Sequence, residues 1–362
     1  MRERRIGWRD RSMAETLFPR DLLRVGERRQ SCDNLRMSSL ARSRTNTFSS
    51  LDIERDADWR SDTATINERL RDEAARFLLL RDDGRALVTS SREHLAGLGR
   101  DDFVRYGGAE AATIYLGNVQ GREWFAWRQG DAAAAAIAAR LGGDFIDLRS
   151  AGMTLAAADA GLFAYACAIV NWQERTRYCS VCGSPVRLES AGHRAVCTNP
   201  QCATEHFPRT DPAMIVIVAH GDACLLGRQA SWPKGRYSAL AGFVEPGETL
   251  EAAVQREVYE EAGVRVVDCN YHSSQPWPFP SSIMLGFTAR ADDAAIKLGP
   301  ELEDVRWFST RQLVEGLASG ELLMPSPLSV SYRLVEHWLR ETAGIELDAL
   351  TRDDPLRRAA RG

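Results

Sequence analysis

The sequence predicts an α/β protein in which a mixed sheet with helices packed against it follows a short cysteine-rich ribbon and a first, separate α/β domain. Three observations predict this. Short β-type apolar runs alternate with helical stretches in two blocks, residues 46–175 and 209–345, four cysteines fall in two close pairs between the blocks, and one acidic helix interrupts the strands of the second block. At 362 residues the chain is long enough for two or three domains with buried cores. Its 44% hydrophobic and 27% charged residues are those of a globular protein, and a net charge of −4 excludes a global basic field directed at nucleic acid or an anionic membrane. No apolar run approaches the roughly 20 residues that span a bilayer, and the charges of "MRERRIGWRDRS" are not followed by an apolar segment, so the chain reads as soluble and cytoplasmic.

Residues 1–45 are rich in arginine and serine, lack periodic apolar positions and read as a disordered basic extension, because such a segment buries too little to offset its ordering entropy. Glu3, Asp10 and Glu15 interrupt the basic character that an import signal or a nucleic-acid arm would need. In residues 46–175, "ARFLLL" and "RALVTS" flank the turn "RDDGR" as two strands, and "DAAAAAIAARLGG" is helical; this block contains no catalytic constellation. Residues 176–208 hold Cys179-x2-Cys182 and, after fourteen residues, Cys197-x4-Cys202, the spacing of a zinc ribbon. Gly183 supplies the left-handed turn of such a knuckle, and two disulfides are the weaker alternative in a cytoplasmic chain. With only Arg187, Arg194 and His193 as basic side chains, the ribbon reads as a structural zinc clamp between domains; Cys32, Cys167, Cys224 and Cys269 stand apart as free thiols, the later three buried. In residues 209–345, "AMIVIVAH", "ACLLGRQ", "YSALAGFV", "RVVDCNYHS", "SIMLGFTARA" and "LEDVRWFS" are strands, and "RQLVEGLASG" and "LSVSYRLVEHWLRETAG" are helices, with 346–362 a tail.

Between the third and fourth of these strands, Leu250 to Ala262 is free of proline and glycine, repeats Leu250, Val254 and Val258 on one face, and ends at Gly263, a left-handed cap. Glu257, Glu260 and Glu261 stand at i, i+3 and i+4, so their carboxylates converge on one side of the helix. Like charges this close call for a counter-charge, and a hard divalent cation with oxygen ligands, Mg2+ or Mn2+, is the natural one. A merely solvated acidic face has the same spacing on the helix alone.

The pattern extends beyond the helix. Gly242, five residues, Glu248, seven residues, then Arg256-Glu257-Val258, Glu260-Glu261 and Gly263-Val264 resembles the Nudix box over 23 residues. That resemblance implies an α/β/α Nudix sandwich and metal-assisted hydrolysis of a diphosphate. It implies Glu257 and Glu261 as metal ligands together with the carbonyl of Ala241, with Glu260 completing the cluster, and an Arg256–Glu248 pair fixing loop to helix; members of the family differ in which glutamate is the base, and Glu261 is the choice made here. Phe243 then falls in the substrate site.

Residues 274–282, "SQPWPFPSS", hold prolines at 276, 278 and 280 that keep the chain extended and present Gln275, Trp277 and Phe279 as stacking or hydrogen-bonding groups. A proline–aromatic loop can also plug a core. The stretch is similar to the SQPWPFPxS signature of the NADH pyrophosphatase branch of the Nudix family, and the resemblance covers 179 to about 340. It implies cleavage of NADH or NAD+ to nicotinamide mononucleotide and AMP, removal of NAD caps from RNA, and a homodimer in which the loop 275–282 (Gln275, Pro276, Trp277, Pro278, Phe279, Pro280, Ser281, Ser282) reaches the site across the interface. Glu301, six residues before Trp307, is implied as a further metal ligand, and Phe207 as an aromatic that stacks on substrate. The four-residue spacing of the second cysteine pair departs from the two of the common bacterial type. A broader dinucleotide hydrolase acting on ADP-ribose or diadenosine polyphosphates, and a non-catalytic nucleotide- or RNA-binding protein, are the rival functions; the intact acidic set speaks against the second.

Overall fold

The computed structural model describes residues 37–108 and 113–351. Residues 1–36, which hold Cys32 and most of the stretch expected to lack structure, lie outside the described residues, as do 352–362 of the tail.

After α1 (Ser39–Thr45) the first block runs α2 (Thr63–Arg71), β1 (Arg76–Arg81), β2 (Ala86–Val88), β3 (Gly97–Leu98), α3 (Arg100–Arg105), β4 (Thr113–Val119), β5 (Arg122–Gln129), α4 (Asp131–Leu141), β6 (Asp144–Ile146), α5 (Leu148–Thr154) and α6 (Ala157–Arg175). Its strands form one sheet in the order β4-β5-β1-β2-β6, with β3 beside β1, and β1 runs parallel to β5. Strand alternation sorts the core into two layers. Leu78 and Leu80 turn to one face, where Phe163 and Ile169 of α6 cover them, while Phe77 and Leu79 turn to the other against Phe103 and Ile137.

The ribbon, β7 (Val186–Glu189), β8 (Arg194–Cys197) and β9 (Glu205–His206), is a three-stranded sheet. The second block comprises β10 (Asp211–His220), β11 (Ala223–Arg228), β12 (Leu240–Phe243), α7 (Leu250–Ala262), β13 (Val266–Trp277), β14 (Ser282–Ala291), β15 (Asp304–Ser309), α8 (Thr310–Ser319), α9 (Val330–Ala343) and α10 (Leu347–Leu350). The sheet order is β13-β14-β10-β11-β15, with β12 beside β10 and β10 parallel to β14. Met214, Val216 and Val218 face Val254 and Val258 of α7; Ile215 and Ile217 face Leu334, Val335 and Leu339 of α9. The result is an α/β/α sandwich.

Four expectations are corrected. Ser39–Thr45 is helical rather than unstructured, although it buries no residue. Hydrogen bonds to β13, not apolar burial, order it: Arg42 Nε donates to the His272 carbonyl (2.9 Å) and Ser43 Oγ accepts from the Ser274 amide (3.0 Å). The adjoining Asn46 donates to Ser273 Oγ (3.1 Å) and the Ser274 carbonyl (2.8 Å). The start of the tail is packed as well, because Leu347 is buried and Tyr332 donates to Asp348 (2.6 Å). Cys269 is half-buried, unlike Cys167 and Cys224, because it lies on the edge strand β13. The proline stretch is not extended throughout: Pro276 lies in β13 opposite Ile283, and the chain then reverses through a cis Phe279–Pro280 peptide. Among the described residues no helix is long and apolar enough to cross a membrane.

Candidate active site and metal centre

Helix α7 is defined at both ends: the Thr249 side chain accepts from the Ala252 amide (3.2 Å), and Gly263, at φ +67°, donates its amide to the Tyr259 carbonyl (2.8 Å). Arg256 ties this helix to the preceding loop. Its guanidinium donates to both oxygens of Glu248 (2.9 and 3.0 Å) and to the carbonyl of Phe243 (2.9 Å), and it pairs with Glu257 (2.9 Å) and Glu260 (3.1 Å). Those bonds, Glu248 first, raise the Arg256 pKa, and Arg256 in turn holds Glu248 below the usual carboxylate range. Charge-assisted bidentate pairing of this kind fixes geometry as well as charge.

Glu261 is only 6% exposed, and its Oε2 is buried without a hydrogen-bond partner. Burial first, then the charges of Glu257 and Glu301, push its carboxyl up to about 8. Glu257 is raised as well, chiefly by burial, with Glu260 and Glu301 adding to the effect and Arg256 opposing it. Glu301 is exposed and lies forty residues along the chain, yet its field reaches both carboxylates. Opposite them is Gly242, where a Cβ would meet the Glu257 carboxyl carbon at 1.9 Å, so only glycine leaves this space open. Ala241, exposed, precedes it on β12, and Phe243, 60% exposed, comes directly after it. A buried carboxyl with an orphaned oxygen, raised by the charges of Glu257 and Glu301 beside it, is a donor group suited to a hard divalent cation. The box residues therefore fit the metal expected of them.

In the ribbon, the four sulfurs of Cys179, Cys182, Cys197 and Cys202 all lie within 4.8 Å of one another, and none is in a disulfide. Gly183 takes φ +75°, and the Val181 amide donates to Cys179 Sγ at 3.4 Å. Four converging thiol groups with amide donors suit Zn2+.

The aromatic loop lies elsewhere. Gly242 is opposite Met214 and so faces α7, whereas Gln275 is opposite Met284 on the α9 face, and Trp277 shares that face. Two strands, β10 and β14, separate Trp277 from Phe243, roughly 14 Å at the usual strand spacing. Within one chain Trp277 and Phe279 pack against the core of the first block, with Arg149 stacked 4.0 Å above the Phe279 ring. Gln275 is fully buried: it donates to the carbonyls of Thr47 (3.0 Å) and Leu328 (2.7 Å) and accepts from the Val330 amide (2.8 Å). The expected presentation of Gln275 is thereby corrected, since its amide has no free group to offer a ligand. Pro278 is buried, Pro276 exposed, and Ser281 donates to Asp211 (2.7 Å). Phe207, 61% exposed, shares a cavity of about 640 Å3 with Pro280 and Ser281, and Ser282 lines a second cavity with Pro276 and Trp277.

Sequence reasoning passed over the groups that hold this loop. Asn171 donates to the carbonyls of Pro278 and Pro280 (both 3.3 Å), and Asn46 and Arg149 act from other elements. A lone asparagine inside an alanine-rich helix is a weak signal; its partners lie more than a hundred residues away.

Comparison with known proteins covers most of the described chain. Residues 208–324 match a NUDIX domain, 174–207 an NADH pyrophosphatase zinc ribbon domain, and 74–172 an NADH pyrophosphatase-like rudimentary NUDIX domain. The NAD-capped RNA hydrolase NudC of Mycobacterium bovis is 36% identical over 237 residues, 62% of this chain and 75% of that protein. The human NAD-capped RNA hydrolase NUDT12 is 40% identical over 194 residues, 50% of this chain; the match spans 42% of that protein's length. A crystal structure of a NUDIX hydrolase from Nitrosomonas europaea aligns with 26% identity over 46% of this chain and 91% of its own, at a TM-score of 0.37.

Proposed function

This chain belongs to the Nudix hydrolase family, in its NADH pyrophosphatase branch, and from that premise we propose that it hydrolyses the diphosphate of NADH and NAD+ to nicotinamide mononucleotide and AMP, and removes NAD caps from RNA. The observation that supports this best is the buried, unpartnered Glu261 carboxylate set beside Glu257 and Glu301 opposite Gly242. Family membership implies a divalent metal at this site and zinc in the ribbon.

Glu257, Glu261, Glu301 and the Ala241 carbonyl would hold the divalent metal, Mg2+ or Mn2+, with Glu260 completing the set. Bound there, the cation neutralises phosphate oxygens and lowers the pKa of water. Arg256, fixed by Glu248, holds the Phe243 carbonyl and so locks β12 to α7. Glu261 is assigned to take the proton of the attacking water; attack in line at one phosphorus expels the phosphate of the other nucleotide. Phe243 and Phe207 are exposed rings for stacking.

The separation of Trp277 from Phe243 supports a homodimer, in which the partner copy would supply the loop 276–282 to this site; Gln275 serves only to position it. The absence of a spanning helix among the described residues is compatible with a cytoplasmic enzyme. Chromatography of reactions with NADH, NAD+, ADP-ribose, diadenosine polyphosphates and NAD-capped RNA tests the assignment. AMP and the reduced mononucleotide should accumulate from NADH in Mg2+ or Mn2+. Faster cleavage of ADP-ribose or diadenosine polyphosphates would favour the broad dinucleotide hydrolase, and no turnover of any of them would favour a binding protein. A fully active monomer in light scattering would overturn the dimer.

A further inference from the structure

A second charged site lies on the far side of the aromatic loop, where the segment after α1, helix α6, the ribbon and the loop enclose a cavity of about 530 Å3. Among the described residues no carboxylate lines it, and Arg55, Arg60 and Arg209 do. Arg209 is neutralised by Asp211. The other two converge on one tyrosine: the Arg55 guanidinium stacks 4.1 Å from the centre of the Tyr165 ring, and Arg60 donates to the Tyr165 hydroxyl (3.1 Å). Among the described residues neither has a carboxylate within ion-pair distance, and Arg60 Nε is buried without a partner. Asp56, the carboxylate that senses Arg60, is already engaged by Arg69 (2.6 Å) and Tyr115 (3.1 Å).

The base of the cavity adds no negative charge. His193, 8% exposed, lies 2.9 Å from the Tyr165 hydroxyl through Nε2. Burial first, then Arg60 and Arg55, hold it neutral, down to about 4. Two arginines at one cavity without an acidic partner leave their forked donors to be matched by a carboxylate or a phosphate from outside the chain. Ile169 and the half-buried Trp277 add apolar and aromatic surface, and the volume lies in the range of small-ligand sites.

We propose that this cavity binds a phosphate monoester of mononucleotide size, with the phosphate at Arg55 and Arg60 and a planar ring against the apolar side. The site is separate from the Glu257–Glu261 cluster, although one wall of it, Pro276, Trp277 and Ser282, belongs to the loop assigned above to the partner copy's site. Isothermal titration of the full chain with inorganic phosphate and with AMP tests it. Wild-type protein should bind both, AMP at least tenfold more tightly. Arg55→Ala should weaken both at least fivefold, Arg55→Ala/Arg60→Ala should abolish binding at this site, and Glu257→Gln/Glu261→Gln should retain it. Arg55 is exposed, so its single variant keeps the test intact if the double variant fails to fold. Unchanged affinity in Arg55→Ala, or no binding of phosphate by the wild type at millimolar concentration, would overturn the site. Equal affinity for phosphate and AMP would overturn the mononucleotide.

Discussion

The two large sheets of this chain have the same connections. In each, the first strand is antiparallel to the second and third and parallel to the fifth, the fourth pairs with the fifth, and the sixth with the second. They differ in the helix that leaves the third strand. After β12 comes α7, thirteen residues bearing Glu257, Glu260 and Glu261; after β3 comes α3, six residues, "RDDFVR". Phe103 of α3 turns inward and stacks on Phe77 with ring centres 4.0 Å apart. Each third strand also holds a glycine under a side chain. A Cβ on Gly242 would strike the Glu257 carboxyl, and one on Gly97 would strike the Trp124 ring at 2.7 Å. The same frame therefore serves packing in one copy and, on the proposed function, a cation in the other: the chemistry proposed here resides in the helix after the third strand, not in the sheet.

Carboxylate removal tests this contrast with the largest expected effect. Glu261→Gln should lower kcat for NADH by about 10²–10⁴-fold, the scale of general acid–base catalysis, with little change in KM and weak rescue by added Mg2+ or Mn2+. The fold should persist or gain stability, because a buried like-charge cluster is relieved. Asp101→Asn on α3 and Glu251→Gln, exposed at a variable position of α7, should leave kcat within about twofold. Similar losses in all three would reduce the acidic face of α7 to a solvated surface. The glycines make the next test. Gly242→Ala should cost at least about tenfold in kcat with a modest change in thermal midpoint, because Glu257 must move; Gly97→Ala should lower the midpoint and leave kcat unchanged. An inactive Gly97→Ala that still melts like the wild type would break the division of roles.

Local patterns were the legible part of this sequence. The box, its helix and the cysteine pairs are set by spacing within some twenty residues, and the strands of the second block are alternating or continuous apolar runs. The relation between the two sheets was not legible, because it consists of connections, and "RDDFVR" shares no residue pattern with α7. The Ser38–Thr45 stretch read as disorder because its partners are backbone groups on β13 some 230 residues away, which composition does not register. Gln275 misled for the same reason: in the linear motif it looks like a ligand group, but its bonds are to the backbone at 47, 328 and 330.

The ribbon between the sheets offers a smaller effect, on stability rather than rate. Purified protein should contain about one zinc per chain, as a four-cysteine set requires. Cys179→Ser or Cys197→Ser should release the metal and lower unfolding free energy by several kcal/mol, since binding energy at such a site is folding energy. A zinc-free protein that unfolds at the wild-type denaturant midpoint would contradict the assignment and leave the joint between the sheets to packing alone.

His193 gives the smallest effect, at the contact of ribbon and first sheet. Its Nε2 lies 2.9 Å from the Tyr165 hydroxyl and its Nδ1 lies 3.3 Å from the Ala191 carbonyl, partners that a neutral ring with its proton on Nδ1 satisfies. Burial first, then Arg60, lower its pKa from 6.5 to about 4. The unfolded chain therefore takes up this proton as pH falls below 6.5, while the folded chain refuses it until about 4. Stability contributed by the neutral ring is complete above 6.5 and declines as pH falls through that window, by on the order of 2–3 kcal/mol. His272, buried on β13 and lowered to about 3 chiefly by burial, adds a slope of the same sign, as a constant background. Urea midpoints of wild type and His193→Gln, measured from neutral pH to about pH 4.5, isolate the His193 share. The variant should lose part of the acid-side decline while keeping the rest. Parallel curves would mean that His193 titrates alike in the folded and unfolded chains, and that the contact between ribbon and first sheet does not exclude its proton.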